Sequence, residues 1–427
     1  MIESLFAEPQ SVFAAIEIAI KHRAFGCRAC GQCLLTQCAY VCPMQCPKGL
    51  RNGPCGGMVN GSCEVYPQSP CIWNAIHAKR SDTQWHETMR QPADPELFGT
   101  SSWINLFTGK DRPRRVPASL ITTSVPEASN SALFNAASKG LAITVELRTP
   151  RFNSQKQLTH RINDAHTLKD VVDAICVTSH PGAMAPEIFC EHLHRETGVP
   201  TIIPLVGRDI GPGEYGSALA ARLQNAGAVG VLSLSGDYAG VAPFPMDSAQ
   251  VLVALRNMDW KHARPQFGAA LHVQAQPRKA ALARAAQKAM AGAEIFFSQM
   301  ILGDEGVAEF ITEMRTIPAL KEIPIVMGIP LIGTEHGFSV LERLPGVDRS
   351  LPFMARFRAS TDVPARGLAA ACQSVELARS LRGLGVVGVH VMPFGLSALD
   401  TANWIRSLEI PDATQRTKQE QGVCKHG

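Results

Sequence analysis

This chain has little net charge, few uninterrupted apolar runs and no start that would be expected to direct export. Its 41 Lys and Arg nearly balance 37 Asp and Glu, which leaves a formal net charge of +4 over 427 residues. No concentrated basic face follows from that balance, so neither nucleic acid nor an anionic membrane is expected as a partner. The longest charge-free apolar run lies between Arg382 and Asp400, and it holds His390, Pro393 and four glycines. A buried strand fits that composition better than a membrane span. The opening MIESLFAEPQ has no basic stretch leading into an apolar core, so no export signal is expected. A soluble cytoplasmic protein is the expectation.

Cysteine, by contrast, is abundant and concentrated. Of 13 cysteines, nine fall between Cys27 and Trp73, in CRACGQCLLTQCAYVCPMQCPKGLRNGPCGGMVNGSCEVYPQSPCIW. Cys27, Cys30 and Cys33 stand at Cys-x-x-Cys-x-x-Cys spacing, close enough to converge on one metal centre, and later cysteines can complete the ligand sets. Pro43, Pro47, Gly49, Gly53, Pro54, Gly56 and Gly57 impose turns that wrap a short chain around a centre. Large apolar residues are few here, so covalent or coordinate bonds must hold the segment together. Disulfide staples belong mainly to short secreted chains. A metal site is the better reading. Four ligands per site suit zinc or an iron–sulfur cluster alike; the crowded, Pro-punctuated spacing leans towards iron–sulfur, with zinc as the alternative.

The length allows two or three domains. Residues 10 to 22 carry Val12, Phe13, Ile16 and Ile20 at helical spacing, which predicts an amphipathic helix leading to Cys27. Residues 74 to 112, with Trp85 and Trp103, show no long period and read as a packed connector; Arg112 to Arg115 read as a solvated turn. Short apolar runs then alternate with amphipathic ones. Strands are predicted at 142 to 148, 174 to 179, 201 to 207, 229 to 237, 266 to 272, 294 to 300, 324 to 330 and 386 to 394, with helices between them such as 215 to 226, 278 to 291 and 365 to 382. Continuous apolar strands separated by helices imply a parallel sheet buried on both faces. Eight units suit an α/β fold of the closed (β/α)8 barrel type. A doubly wound open sheet is the alternative, and the missing Gly-x-Gly-x-x-Gly after the first strand counts against it. The expected division is a cysteine-rich domain over 1–80, a connector over 81–117, the barrel over 118–410 and a polar tail over 411–427.

A barrel carries its active site at the carboxyl ends of its strands. Glu146 sits inside the apolar run ITVELR, where burial would raise its pKa and make it a candidate general acid; pairing with Arg148 is the competing reading. Thr178, Arg208, Asp209, Asp237 and Gln299 end or follow other strands, and together they suit a pocket for a polar heterocycle. Gly328, Gly333 and Gly395 leave open backbone where a phosphate could bind. His390 reads as a core histidine, and His160, His166, His272 and His336 as surface or packing residues.

These residues match a known pattern. The stretch 118 to 408 resembles methylenetetrahydrofolate reductase, and the cysteine-rich stretch resembles the small cysteine-rich subunit or domain that accompanies this reductase in acetogens and other bacteria. The latter pattern is Cys-x-x-Cys-Gly-x-Cys, Cys-Pro-x-x-Cys, Asn-Gly-Pro-Cys-Gly-Gly, Gly-x-Cys-Glu-Val and Cys-x-Trp. It covers Cys27, Cys30, Cys33, Cys42, Cys46, Cys55, Cys63 and Cys71 and omits Cys38.

The resemblance implies a flavin-dependent enzyme that interconverts methylene- and methyl-tetrahydrofolate in one-carbon metabolism. Glu146 corresponds to the glutamate that protonates the folate's bridging nitrogen, Asp237 to an aspartate near flavin and pterin, Gln299 to a pterin contact, Thr178 to a flavin-lining threonine and Lys288 to a contact of the flavin phosphates. Ser235, Pro204 and Leu271 depart from the family's Arg, His and Tyr, which counts against the adenine half of FAD and leaves FAD, FMN and a weakened flavin site open. Gly395-Leu396 replaces a family Asn-Arg, which puts recognition of the folate tail in doubt. Implied partners are a tetrahydrofolate substrate, NAD(P)H or a ferredoxin-like electron donor, and further copies of the chain in a homo-oligomer. Two other functions stay open: a folate-dependent methyltransferase on the same barrel, which needs no flavin, and a zinc-stapled folate-binding module without redox activity.

Overall fold

A computed structural model describes residues 5–79, 89–111, 115–116, 140–178, 180, 182–240, 242–260 and 264–408. Trp85, most of the Arg112 to Arg115 run, the expected barrel start at 118, Cys424 and the polar tail lie outside the described residues.

Eight parallel strands close into a barrel in chain order: β1 (Ala142–Leu147), β2 (Ala174–Val177), β3 (Thr201–Val206), β4 (Ala228–Leu234), β5 (Gln266–Leu271), β6 (Ile295–Met300), β7 (Ile325–Ile332) and β8 (Val386–Phe394), which pairs back onto β1. This is the (β/α)8 fold expected from the sequence, and the open sheet is excluded by the β8–β1 pairing. Strands such as β3 and β7 are buried along their whole length because helices cover the outside while side chains fill the inside. The interior holds Ala142, Ala174, Cys176, Ile202, Ile295, Phe297 and Val326, small residues on β1 and β2 making room for the Phe297 ring. Outside, Phe189, Phe267, Phe296 and Phe310 are fully buried, each worth roughly 1.5–3 kcal/mol over exposure.

Helices around the barrel include α4 (Gln155–Leu168), α5 (Pro186–Thr197), α6 (Ser217–Asn225), α7 (Ser248–Arg256), α8 (Arg278–Ala291), α9 (Val307–Arg315), α10 (Glu335–Leu341), α11 (Pro352–Arg358), α12 (Val363–Ser380) and α13 (Ala398–Leu408). Asp247 starts α7 by accepting from the amides of Ala249 at 2.9 Å and Gln250 at 3.2 Å, while the Gln250 side chain returns to the Asp247 amide. Gly292 ends α8 at φ 115, and a Cβ there would strike Arg256.

The cysteine-rich lobe is mostly turns, with two regular helices, αA (Val12–Phe25) and αB (Ile72–Lys79); αC (Ser102–Phe107) follows in the connecting stretch. In the connecting stretch Met89–Arg90 also pairs with Arg115–Val116. The helix predicted near the start exists but faces the other way. Val12, Phe13, Ile16 and Ile20 are exposed, whereas Ala14, Glu17, Ile18 and Lys21 are buried. The cause is a polar network: the Glu17 carboxylate accepts from Lys21 Nζ at 2.6 Å, from Ser102 Oγ at 2.6 Å and from Ser101 Oγ, tying αA to αC. A buried carboxylate with several donors outweighs the apolar stripe as the determinant of orientation.

The lobe packs on the carboxyl-end loops of β4 and β5 and on α7 and α8. Its core of Leu34, Val41, Leu50, Met58, Trp73 and Ile76 takes in Phe244 and Ala280 from the barrel. Asn52, from the Asn-Gly-Pro-Cys motif, donates to Asp247 Oδ2 at 2.8 Å and to the Arg90 carbonyl at 2.7 Å. Asp247 also accepts from Arg284 Nη2 at 3.1 Å, so one buried carboxylate caps a helix, neutralises an arginine and anchors the lobe. Among the described residues no helix is long and apolar enough to cross a membrane.

Candidate active site

A cavity of about 260 Å³ opens at the carboxyl ends of the barrel strands. Of the residues singled out from the sequence, Arg208, Asp237, Lys288 and Gln299 line it. Lys48, Cys55, Met58 and Glu64 of the lobe complete its wall, and Leu234, Ala270, Leu271, Ala281 and Ala285 make its apolar side.

Lys288 lies on α8, buried, with Nζ donating to the Ala270 carbonyl at 2.6 Å. Burial, then repulsion from Arg284, lowers its pKa to about 7 against the opposing pull of Asp247 and Cys55. Arg208 follows β3, donates to both Asp209 carboxylate oxygens at 2.7 and 2.8 Å, and reaches the Asp237 carbonyl at 2.9 Å. Asp209 and Thr178 are outside the cavity lining: Asp209 is taken up by Arg208, and Thr178 Oγ1 accepts from the Thr149 amide at 3.3 Å.

Glu146 lies outside the lining of this cavity. It lies on β1 two residues beyond Thr144 and therefore on the same inward face, opposite Cys176 in the sheet register. Its side chain keeps 38% of its surface accessible at the barrel mouth. Dehydration by the surrounding protein raises its pKa to about 7, and no neighbouring charge contributes. Arg148 is exposed, so the expected alternative of an Arg148 pair is not what the structure shows. One ionisable neighbour of Glu146 is His390: its Nε2 lies 4.0 Å from the carboxylate, while its Nδ1 meets Thr144 Oγ1 at 2.9 Å. Burial lowers His390 to about 4, so it is neutral.

Sequence reasoning missed several cavity residues, His272, Lys48 and Glu64 among them. His272, read as surface or packing, follows β5 and lines the cavity, held neutral by burial at about 4. Lys48 and Glu64 lie outside the barrel; the one available signal was Glu64's place in the Gly-x-Cys-Glu-Val run.

The lobe's cysteines divide into two sets. Cys27, Cys30, Cys33 and Cys42 line one small cavity beside αA, and Cys46, Cys55, Cys63 and Cys71 line another, of about 240 Å³. The mutual electrostatic influence follows the same division: Cys42 feels Cys30 and Cys27, and Cys46 feels Cys71 and Cys63. Cys38 lies apart, fully buried among apolar side chains. Burial pushes the Cys27 thiol up to about 11 and Cys46 up to about 12, so a bound cation is what would make thiolates of them. Among the described residues no three acidic, His or Cys side chains are drawn tightly enough to clasp a single ion. The donor chemistry, four thiols around each of two cavities, nevertheless fits four-thiolate centres.

Residues 133–402 match the family profile described as methylenetetrahydrofolate reductase. The chain belongs to the methylenetetrahydrofolate reductase family. Residues 6–98 match a second profile, described as methylene-tetrahydrofolate reductase C terminal, although this segment precedes the reductase part here. No curated protein matches significantly. A solved structure described as an uncharacterized protein from Clostridium thermocellum that binds two copies of 5-methyl-5,6,7,8-tetrahydrofolic acid is 14% identical, over 64% of this chain and 96% of its own, with a TM-score of 0.48. Tryptophan synthase from M. tuberculosis is 16% identical over 66% and 96%, with a TM-score of 0.36. Both likenesses are too distant to bear on function.

Reductases of this family usually bind a flavin, and the cavity can be tested against one. Lys288 is a buried lysine that lines the cavity with a backbone carbonyl as its hydrogen-bond partner, and burial disfavours its charge there. A phosphate is the group that would balance it. The apolar side formed by Leu234, Ala270 and Leu271 suits a flat ring system, and Asp237 and Gln299 supply polar contacts. The residues present fit a flavin.

Proposed function

We propose that this reductase-family chain interconverts 5,10-methylenetetrahydrofolate and 5-methyltetrahydrofolate with a bound flavin, FAD or FMN, and that its lobe is the electron-handling cysteine-rich domain that accompanies such reductases. The division proposed is 1–80 for that domain, 81–117 for the connector, 118–410 for the barrel and 411–427 for the tail. The observation that carries the reading is the common wall: Lys48, Cys55, Met58 and Glu64 border both the second cysteine cavity and the barrel cavity. A thiolate-held centre there would sit against the flavin seat. Iron–sulfur clusters pass single electrons, and a flavin converts them to a hydride.

Within the barrel, Glu146 is the proposed general acid. With its pKa at about 7 it is poised near neutral pH to give a proton to the folate's bridging nitrogen as the methylene group opens to an iminium ion. Neutral His390, fixed by Thr144, borders the carboxyl without supplying a charge that would ionise it. Asp237 and Gln299 are the proposed pterin contacts; Arg208, Asp237 and Lys288, with Thr178 and Asp209 beside them, are the proposed flavin contacts. The eight cysteines of the two sets are the proposed metal ligands. The electron donor is NAD(P)H or a ferredoxin-like protein, and the chain works as a cytoplasmic homo-oligomer.

Anaerobic purification followed by absorbance and metal analysis tests this reading. Flavin and iron together, with the reduced protein reoxidised by methylenetetrahydrofolate, are expected. Zinc without flavin would select the folate-binding module, and methyl transfer without flavin would select the methyltransferase.

A further inference from the structure

The lobe lends the barrel cavity an ion pair. Lys48 is almost sealed from solvent; its Nζ donates to the Gly236 carbonyl at 2.8 Å and pairs with Glu64, itself nearly buried. Glu64 Oε2 in turn receives the Cys55 thiol at 3.6 Å. Asp237, next to Gly236, is close enough to act on the Lys48 charge. A buried ion pair is weak evidence for stability, because an apolar pair of similar volume holds two surfaces together as well or better. Here both charges lie in the wall of the cavity, where they act on whatever binds there through a medium less screening than water.

We propose that the Lys48–Glu64 pair sets the redox poise of the barrel's bound cofactor, the ammonium favouring its electron-rich reduced form and the carboxylate opposing it. The inference rests on the flavin reading above. A flavin that takes up two electrons and one proton gains one negative charge, with the electrons drawn from the donor named there. A fixed cation in the wall therefore binds the reduced form more strongly than the oxidised one, and a fixed anion does the reverse.

The test uses the full-length holoprotein under anaerobic conditions, with the midpoint potential read at the flavin absorbance against a reference dye. Lys48→Met is expected to lower the potential and Glu64→Gln to raise it, while Lys48→Arg stays near wild type. A tenfold change in the ratio of reduced to oxidised binding is the expected size, which is about 30 mV for a two-electron couple. Shifts in the same direction, or none, would make the pair a mere tie between lobe and barrel and overturn the inference. If Lys48→Met does not fold, Glu64→Gln alone carries the sign: an unchanged or lowered potential overturns it. A wild-type protein that takes up no flavin sinks the flavin reading and this inference with it; flavin bound at an unmoved potential sinks this inference alone.

Discussion

Glu146 shows what one side chain costs and supplies. Replacing it with Gln keeps the shape and removes the proton, so turnover of methylenetetrahydrofolate should fall by about 10²–10⁴-fold while folate binding persists; unchanged turnover would remove Glu146 from the chemistry. On the proposed mechanism the folate half-reaction of the wild type should slow above pH 7, as the acid with a pKa of about 7 is lost. Stability carries the opposite signature. The folded-state value lies above the unfolded one, roughly 4.3, so the folded protein holds the extra proton and loses stability as pH rises through the window between the two values. Glu146→Gln should therefore melt higher than wild type at pH 8 and lose that advantage below about pH 4, as a thermal series across pH would show. The unusual setting of Glu146 was legible, because a lone acid inside ITVELR has few ways to avoid burial. Its neighbour His390 was not, since which residues of β1 and β8 share an inward layer depends on closure of the barrel.

At the scale of elements, the strands were legible and the lobe was not. All eight strands fall where continuous apolar runs place them, with no end shifted by more than three residues. αA was found but misoriented, because Glu17 and Lys21 look like solvated charges until Ser101 and Ser102 arrive from far along the chain. Two consequences follow for αA. Ile16→Ser and Ile20→Ser should change unfolding free energy by less than about 0.5 kcal/mol, as for other surface sites, whereas Glu17→Leu strands Lys21 and should cost several times more in a denaturant titration. The cysteine sets make a separate expectation. If each set holds a metal centre as proposed, Cys30→Ser should remove about half of the metal and Cys71→Ser the other half, with Cys38→Ala leaving the content unchanged; equal losses from all three would dissolve the division into two sets.

At the scale of the molecule, lobe and barrel are joined through buried polar contacts rather than through apolar area alone. Asn52 bonds Asp247 and the Arg90 carbonyl, and Gln287 Nε2 donates to Asn52 Oδ1 at 3.3 Å. Asn52→Leu leaves Asp247 and Gln287 short of partners, so it should lower the melting temperature and loosen the lobe, seen as faster proteolysis between the two parts. Sequence reading could place the Asn-Gly-Pro-Cys motif but could not tell that its Asn serves the joint, because Asp247 and Gln287 lie 195 and 235 residues away.

The wall shared by the second cysteine set and the barrel cavity also bears on traffic. If current enters through the lobe and folate through the barrel mouth, the protein has two doors, and the visitor at one need not leave before the other is used. A dead-end folate analogue should then leave the rate of anaerobic reduction by a one-electron donor unchanged in stopped flow. Slowing in proportion to analogue occupancy would mean a single door serving both.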